Sequence, residues 1–214
     1  MLRLPVNIVA VTVWCYWLSV VVMILRSHLR LKSAAGAVPK TGLERWMWLI
    51  WVPTVIGWQV FPRLAYQTSI PLLAAPQWST SHPSAVLDWL AVVAAILAYV
   101  LTVPCWLTLG TNWSLAVVPG KQASLITRGF YAQVRHPIYS LGLVLMAATI
   151  AVAPSPAMLL VAIAHLAMVL LKAANEERFL ERLHGQVYRE YRRRTSRFFP
   201  WPTRMGTASA SRVA

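Results

Sequence analysis

The sequence predicts an all-α, polytopic transmembrane bundle of about five helices, the last two forming a tight hairpin, with a cytoplasmic helical C-terminal segment. Two observations lead to this fold class. Hydrophobic residues make up 58% of the 214 residues and charged residues only 12%, whereas a typical globular chain has about 25% charged residues. The apolar residues also form long runs without charge, as the hydrocarbon core of a bilayer requires.

The candidate spans are five apolar segments, because a helix needs about 20 residues to cross the bilayer. They are residues 6–25, the tryptophan-rich 46–62, 86–109, 139–152 and 157–171. Residues 6–25 are too long for a signal peptide, and their basic cluster follows them, so we interpret them as retained. The prolines at 154 and 156 separate the last two segments, because one helix over both would overshoot the bilayer.

The basic residues predict the orientation of these spans. Of the 20 Lys and Arg residues, only Arg3 and Arg63 fall on the side of the N-terminus. Cytoplasmic loops carry an excess of Lys and Arg, so we expect the N-terminus outside and the C-terminus in the cytoplasm.

The net charge of +14 would suggest nucleic acid as a partner in a soluble protein. Here the charges lie between apolar runs and at the chain end, so contact with the lipid bilayer is favoured and nucleic-acid binding is set aside. Cys15 and Cys105 lie inside apolar runs, and the sequence has no Cys/His cluster, so no metal site is predicted. The oligomeric state is not readable from the sequence.

Two polar segments share the cytoplasmic side, residues 110–137 and 172–200. The second holds four of the six acidic residues, namely Glu176, Glu177, Glu181 and Glu190. One interpretation is structural, since acidic and basic residues alternate here as on a solvated helix face.

Helical phase favours a second interpretation of this segment. His165, Lys172 and Glu176 are spaced by seven and four residues, which places them within about 40° on one helix face. A histidine within a span seldom faces lipid. We therefore expect this face to line the hairpin or a cavity inside the bundle, with His165 as a candidate substrate contact, although a lone histidine on an apolar face is more often structural.

The cytoplasmic motifs resemble the isoprenylcysteine carboxyl methyltransferase family, membrane enzymes that transfer a methyl group from S-adenosylmethionine. The resemblance covers roughly residues 112–202. Its motifs are Arg135-His136-Pro137-Ile138-Tyr139, the Glu176-Glu177 pair, Gly185-x-x-Tyr188-x-x-Tyr191-x-x-Arg194 and Arg197-Phe198-Phe199-Pro200.

The resemblance implies S-adenosylmethionine as cofactor and a set of residues that bind it. These are Ala123, Ser124, Leu125, Ile126, Tyr131, His136, Pro137, Ile138, Tyr139 and Glu176. It also implies that Lys172 binds substrate, where the family usually has an arginine, and Leu141 stands where the family usually has a glycine. No residue is assigned as catalytic, because methyl transfer requires mainly positioning and exclusion of water.

Hydropathy, composition and the resemblance together suggest three regions. Residues 1–110 hold the first three transmembrane helices, residues 111–202 hold the methyltransferase-like cofactor loop, hairpin and cytoplasmic tail, and residues 203–214 form a disordered tail. The predicted function is methyl transfer to a lipophilic acceptor at the cytoplasmic face. The acceptor could be a prenylcysteine-type carboxylate, a phospholipid amine, or a small lipophilic thiol or acid.

Two other functions stay open at this point. Membrane sterol reductases are similar in the same C-terminal region, so a reductase with a nicotinamide cofactor is one alternative. A non-enzymatic membrane protein, in which the motif residues only pack, is the other.

Overall fold

The computed structural model describes residues 4–31, 42–81, 85–115, 117 and 124–200. Within these ranges the chain is helical, with two short 3-10 turns at Gly110–Asn112 and Gly129–Ala132, and no strand. The helices are α1 (Leu4–Leu31), α2 (Gly42–Leu64), α3 (Gln77–Ser81), α4 (Ala85–Leu109), α5 (Pro137–Val152), α6 (Pro156–His184) and α7 (Gln186–Arg194). The predicted all-α class is confirmed.

Three helices are long and apolar enough to cross a bilayer, namely α1, α4 and α6. Helix α5 is apolar but shorter, and the tryptophan-rich α2 is not among the three. Three residues connect α5 to α6. The count of five spans, the hairpin and the division into three regions therefore stay predictions, and the predicted disordered tail lies outside the described residues.

The distribution of side-chain sizes on α4 is that of a membrane helix. Its buried face carries small residues, including Ala91, Ala95 and Ala98, whereas Leu90 and Leu97 are exposed. Small residues allow helix backbones to approach closely when lipid covers the outer face. Among the helix pairs of the described ranges, α4 and α5 pack against each other most extensively. Helix α6 packs mainly on α2.

Helix α6 is longer than the span predicted for it, residues 157–171. It begins after Ser155, whose Oγ accepts a hydrogen bond from the Met158 amide at 3.2 Å, and it continues to His184. Gly185 ends it with a φ of +54°, a conformation that side chains disfavour. Because the helix is unbroken, the phase relation between His165 and Glu176 applies across its whole length.

The connection between α2 and α4 contains the short helix α3. The amide of Ala157 donates to the carbonyl oxygen of Leu72 at 2.9 Å. This bond ties the connection to the first turn of α6.

The end of the described chain returns to the start of α5. The amide of Arg135 donates to the Ser196 carbonyl at 2.9 Å, and the amide of His136 donates to the Arg197 carbonyl at 3.0 Å. Residues 195–200 therefore lie against the segment that carries the predicted cofactor motif.

Candidate functional site

A cavity of about 210 Å³ lies among α1, α2, α4, α5, α6 and α7. Along α6 its lining extends from His165 to Leu180, which at 1.5 Å per residue is about 22 Å. The cavity is therefore long, and it runs from the middle of the predicted span to the segment beyond it.

Most of the residues implied by the resemblance line this one cavity. They are Ser124, Leu125, Ile126, Tyr131, His136, Ile138, Tyr139, Glu176 and Lys172, and His165, which was selected by helical phase, lines it as well. Pro137 is buried at the first position of α5 and is not part of the lining. Ala123 lies outside the described residues. The three residues grouped by helical phase thus face the same space, whereas their roles stay predictions.

The Glu176 carboxylate is held by the first turn of α5. The Tyr139 hydroxyl donates a short hydrogen bond to Glu176 Oε1, and His136 Nδ1 lies 3.6 Å from Glu176 Oε2. The rings of His136 and Tyr139 stack with centroids 5.4 Å apart. The side chain of Glu176 stays 27% exposed, so this fixed carboxylate is accessible to a cationic or hydroxyl-bearing ligand.

Glu177, the next residue, has a different environment. It is 5% exposed, and its Oε1 lies 2.9 Å from Arg135 Nε, 3.1 Å from Arg197 Nε and 3.3 Å from His136 Nε2. Hydrogen bonding to Glu177 raises the pKa of Arg197. We call Glu177, Arg135 and Arg197 the tail lock, because they join α6, the start of α5 and residues 195–200.

We call the lining around Glu176 and Tyr139 the polar half of the cavity and the lining around Trp17, Trp51 and His165 the aromatic half. Lys172 lies between the two halves. Its Nζ donates to the Leu115 carbonyl at 2.6 Å, and it lies 5.2 Å from the ring centroid of Trp51 and 5.8 Å from that of Tyr139. An ammonium group in this position can still interact with an anion in the cavity, because it has three donors.

Several buried polar atoms of the lining have no hydrogen-bond partner within the described part of the chain. They are the hydroxyl groups of Tyr131 and Tyr188, Trp17 Nε1, and both ring nitrogens of His165. Buried polar groups in native proteins are usually paired. The cavity wall therefore offers hydrogen-bonding groups to a ligand or to water.

Helix α7 supplies part of the wall near Tyr131. The Tyr191 hydroxyl donates to the Tyr131 carbonyl at 2.6 Å. Burial raises the pKa of Tyr191 to about 12, so its hydroxyl remains protonated and keeps this bond at physiological pH.

A comparison with known families bears on this cavity. Residues 89–182 match the model of the Isoprenylcysteine carboxyl methyltransferase (ICMT) family. The chain carries the ICMT family domain. The match supports the family membership that the motifs predicted, and no curated protein matches the chain.

The ICMT match spans most of α4, all of α5 and most of α6, together with the loop that holds the predicted cofactor segment. Members of the family use S-adenosylmethionine as methyl donor, so the domain suggests a membrane methyltransferase that depends on this cofactor. Trp17 and Trp51 lie outside the matched residues.

The sequence reasoning missed two features of the ICMT domain and its tail. One is the tail lock, whose partners are too far apart in sequence to show a pattern. The other joins α4 to the cofactor segment: Asn112 Nδ2 donates to Ser124 Oγ at 2.9 Å, and the Ser124 amide donates to Asn112 Oδ1 at 3.1 Å. Asn112 also lines the cavity, and only its position at the start of the resemblance could have suggested it.

Proposed function

We propose that this protein transfers a methyl group from S-adenosylmethionine to an anionic, lipophilic acceptor at the cytoplasmic face of a membrane. One observation carries the proposal. Glu176 and Lys172 lie one turn apart on α6 and line the same cavity. The carboxylate suits a cationic methyl donor, and the ammonium suits an anionic acceptor beside it.

The residues of the polar half fit the proposed cofactor. S-adenosylmethionine carries an ammonium, a carboxylate, ribose hydroxyls and a sulfonium. Glu176 offers a fixed acceptor for the ammonium or the hydroxyls, and the unpartnered hydroxyls of Tyr131 and Tyr188 offer further hydrogen bonds. The rings of Trp106 and Trp113 line the same cavity, and aromatic faces attract cations.

His136 and Tyr139 orient Glu176 in this proposal. The Tyr139 hydroxyl donates to Glu176, and the His136 ring lies between the two glutamates. The first-turn amides of α5 remain suited to the cofactor carboxylate, because a helix N-terminus favours anions.

Lys172 binds the acceptor anion and places it next to the methyl donor. When bound, the cofactor supplies a methyl group on a sulfonium, and the resulting thioether is a good leaving group. If the acceptor is a carboxylate, it is already a nucleophile and no base is needed. The protein then contributes mainly orientation and exclusion of water.

The two substrates reach the cavity by different routes in this proposal. Glu176 lies beyond the predicted span 157–171, at the predicted cytoplasmic side, so the polar cofactor arrives from water. The aromatic half lies within the predicted spans, so a lipophilic acceptor arrives from the bilayer.

The charges of the lining favour a methyl donor over a nicotinamide cofactor. Among the described lining residues the Lys and Arg side chains are Lys172 and Arg135, and Arg135 is paired with Glu177. A cofactor with several phosphates requires more cations than these.

Cofactor binding to the purified protein in detergent tests the proposal. We expect calorimetry to show binding of S-adenosylmethionine by the wild type. Glu176→Gln should bind at least about tenfold more weakly, because a charged hydrogen bond is worth about 1.5–3 kcal/mol. Tyr139→Phe should weaken binding by a smaller factor, because the carboxylate remains but loses its orientation.

The matched control is Glu190→Gln, which removes a carboxylate from the exposed side of α7. It should leave the affinity unchanged. Equal affinity of the wild type and Glu176→Gln would contradict the proposed site. Methyl label from the cofactor should also appear in an anionic lipophilic acceptor and not in neutral lipids.

A further inference from the structure

Two unpartnered polar side chains of the cavity lining pack against the same tryptophan, Trp58. His165 is 7% exposed, and neither of its ring nitrogens has a partner among the described residues. The buried Nε1 of Trp17 also lacks one. Both rings pack on Trp58, with centroid distances of 4.8 Å for His165 and 6.1 Å for Trp17.

The side chains packed around His165 and Trp17 do not form hydrogen bonds with their ring nitrogens. Trp58 Nε1 donates to Thr149 Oγ1 at 3.0 Å, so its own polar atom is already paired. A Cβ added at Gly142 would lie 3.8 Å from His165 Nε2, so a hydrogen at this position leaves space beside the imidazole. Trp17, His165 and Gly142 all line the cavity, so a bound molecule can reach the unpartnered atoms.

The chemistry of the two side chains defines their complement. A neutral imidazole has one N–H donor and one acceptor nitrogen, and the indole N–H is a donor only. A hydroxyl group matches both, because it donates once and accepts twice. A carbonyl oxygen matches two donors. A hydrocarbon chain matches none, and it would leave buried polar groups unpaired at a cost in affinity.

We infer that the lipophilic part of the methyl acceptor carries a hydroxyl or carbonyl group that hydrogen-bonds to His165 and Trp17. The inference rests on the proposed function, in which Lys172 binds the anionic end of the acceptor. It narrows the acceptor class to oxygenated lipophilic acids, whereas a plain prenyl chain leaves this pair unsatisfied.

The helix sets the distance between the two ends. His165 and Lys172 are seven residues apart on α6, which is about 10 Å along the helix axis. An extended chain advances about 1.3 Å per bond. The oxygen therefore lies about eight bonds from the acceptor carboxylate.

Three probes test this inference. The first is N-acetyl-S-farnesylcysteine, and the others carry one added hydroxyl, on either the middle or the terminal isoprene unit. The middle unit lies about eight bonds from the carboxylate. We expect the middle-hydroxyl probe to bind wild-type protein about tenfold more tightly than the other two, as measured by quenching of tryptophan fluorescence in detergent.

Variants at the two side chains locate the effect. His165→Leu and Trp17→Phe should each reduce or remove the preference for the middle hydroxyl. His165→Gln, which keeps a donor and an acceptor, should retain part of it. The control Met168→Leu changes an apolar lining residue one turn away and should retain all of it. His165→Leu should not lower the melting temperature, because it removes unpaired polar atoms.

Two results would overturn the inference: equal affinity of the three probes for the wild type, or an unchanged preference in His165→Leu. The proposed function fails in a different way. If the middle-hydroxyl probe binds best but no probe receives methyl label from S-adenosylmethionine, the inferred hydrogen bonds are supported. The proposed methyl transfer to carboxylates is then contradicted.

Discussion

Glu176 and Glu177 are adjacent in sequence but have separate tasks. A helix turns 100° per residue, so Glu176 faces the cavity while Glu177 faces Arg135 and Arg197. His136 lies between the two carboxylates, 3.6 Å from one and 3.3 Å from the other. One side chain therefore connects the ligand-facing carboxylate with the tail lock.

Glu177→Gln tests the tail lock. We expect it to lower the free energy of unfolding by on the order of 2 kcal/mol, because two arginines lose a buried counter-charge. Thermal unfolding in detergent measures the change.

Glu181→Gln is the matched control for that experiment. Its carboxylate pairs with Arg189 and Arg192, whose side chains are about half exposed, and exposed pairs contribute little. If both variants lowered the melting temperature equally, the tail lock would have no special contribution to stability.

The residue scale also shows how far sequence reasoning reached. Helical phase grouped His165, Lys172 and Glu176, and all three line one cavity. The partners of Glu177 were not predictable, because charge alternation suggested neighbours four residues away, whereas Arg135 is 42 positions distant and Arg197 is 20. Such pairings depend on how α5 and the tail pack, which no local pattern encodes.

At the scale of elements, the junction between α6 and α7 positions one wall of the cavity. Gly185 makes this turn with φ +54° and ψ −122°, a conformation open essentially to glycine. After the turn, α7 brings Tyr188 and Tyr191 to the lining. The sequence motif contains both tyrosines, but the turn between α6 and α7 could be identified only from the backbone geometry.

Gly185→Ala should destabilise this junction. We expect a loss of about 2 kcal/mol in the free energy of unfolding, because a side chain at this φ and ψ is strained. We also expect weaker binding of S-adenosylmethionine, because α7 carries two lining residues. Calorimetry and thermal unfolding give the two readouts.

Gly42→Ala provides the comparison. Gly42 has no heavy atom within 4 Å of an added Cβ and no positive φ, so the substitution should leave stability and binding unchanged. If the Gly185→Ala protein were as stable as the Gly42→Ala protein, an alanine would not be strained at this turn and the prediction would be wrong.

At the scale of the whole molecule, composition alone was sufficient for the fold class but not for the number of crossings. Large apolar side chains are exposed on the outer faces of the long helices, as in a protein surrounded by lipid. The tryptophans and prolines of α2 lower its hydropathy, so the prediction that α2 crosses the membrane depends on the distribution of Lys and Arg residues. Packing between helices, which hydropathy does not measure, can hold such a segment in the membrane.

Labelling of single cysteines tests the topology. After replacing Cys15 and Cys105 by serine, we expect Ser69→Cys, in the connection between α2 and α4, to react with an impermeant maleimide in intact cells. Glu190→Cys on α7 should react only after permeabilisation. Both residues are exposed, so accessibility within the protein does not limit either reaction.

The two positions test the orientation and the number of crossings between them. Reaction at both sites in intact cells would contradict a cytoplasmic C-terminus. Protection of both sites would indicate that the number of crossings among α4, α5 and α6 is even and not three, because only an odd number places the connection and α7 on opposite sides.

The contact between residues 196–197 and the amides of Arg135 and His136 has a consequence for biosynthesis. Translation proceeds from the N-terminus, so residues 196–197 are synthesised after every long helix of the described chain. The support behind His136 is therefore made after the helices that it joins. A chain that stops before residue 196 would contain every long helix but would lack the backbone contacts to Arg135 and His136.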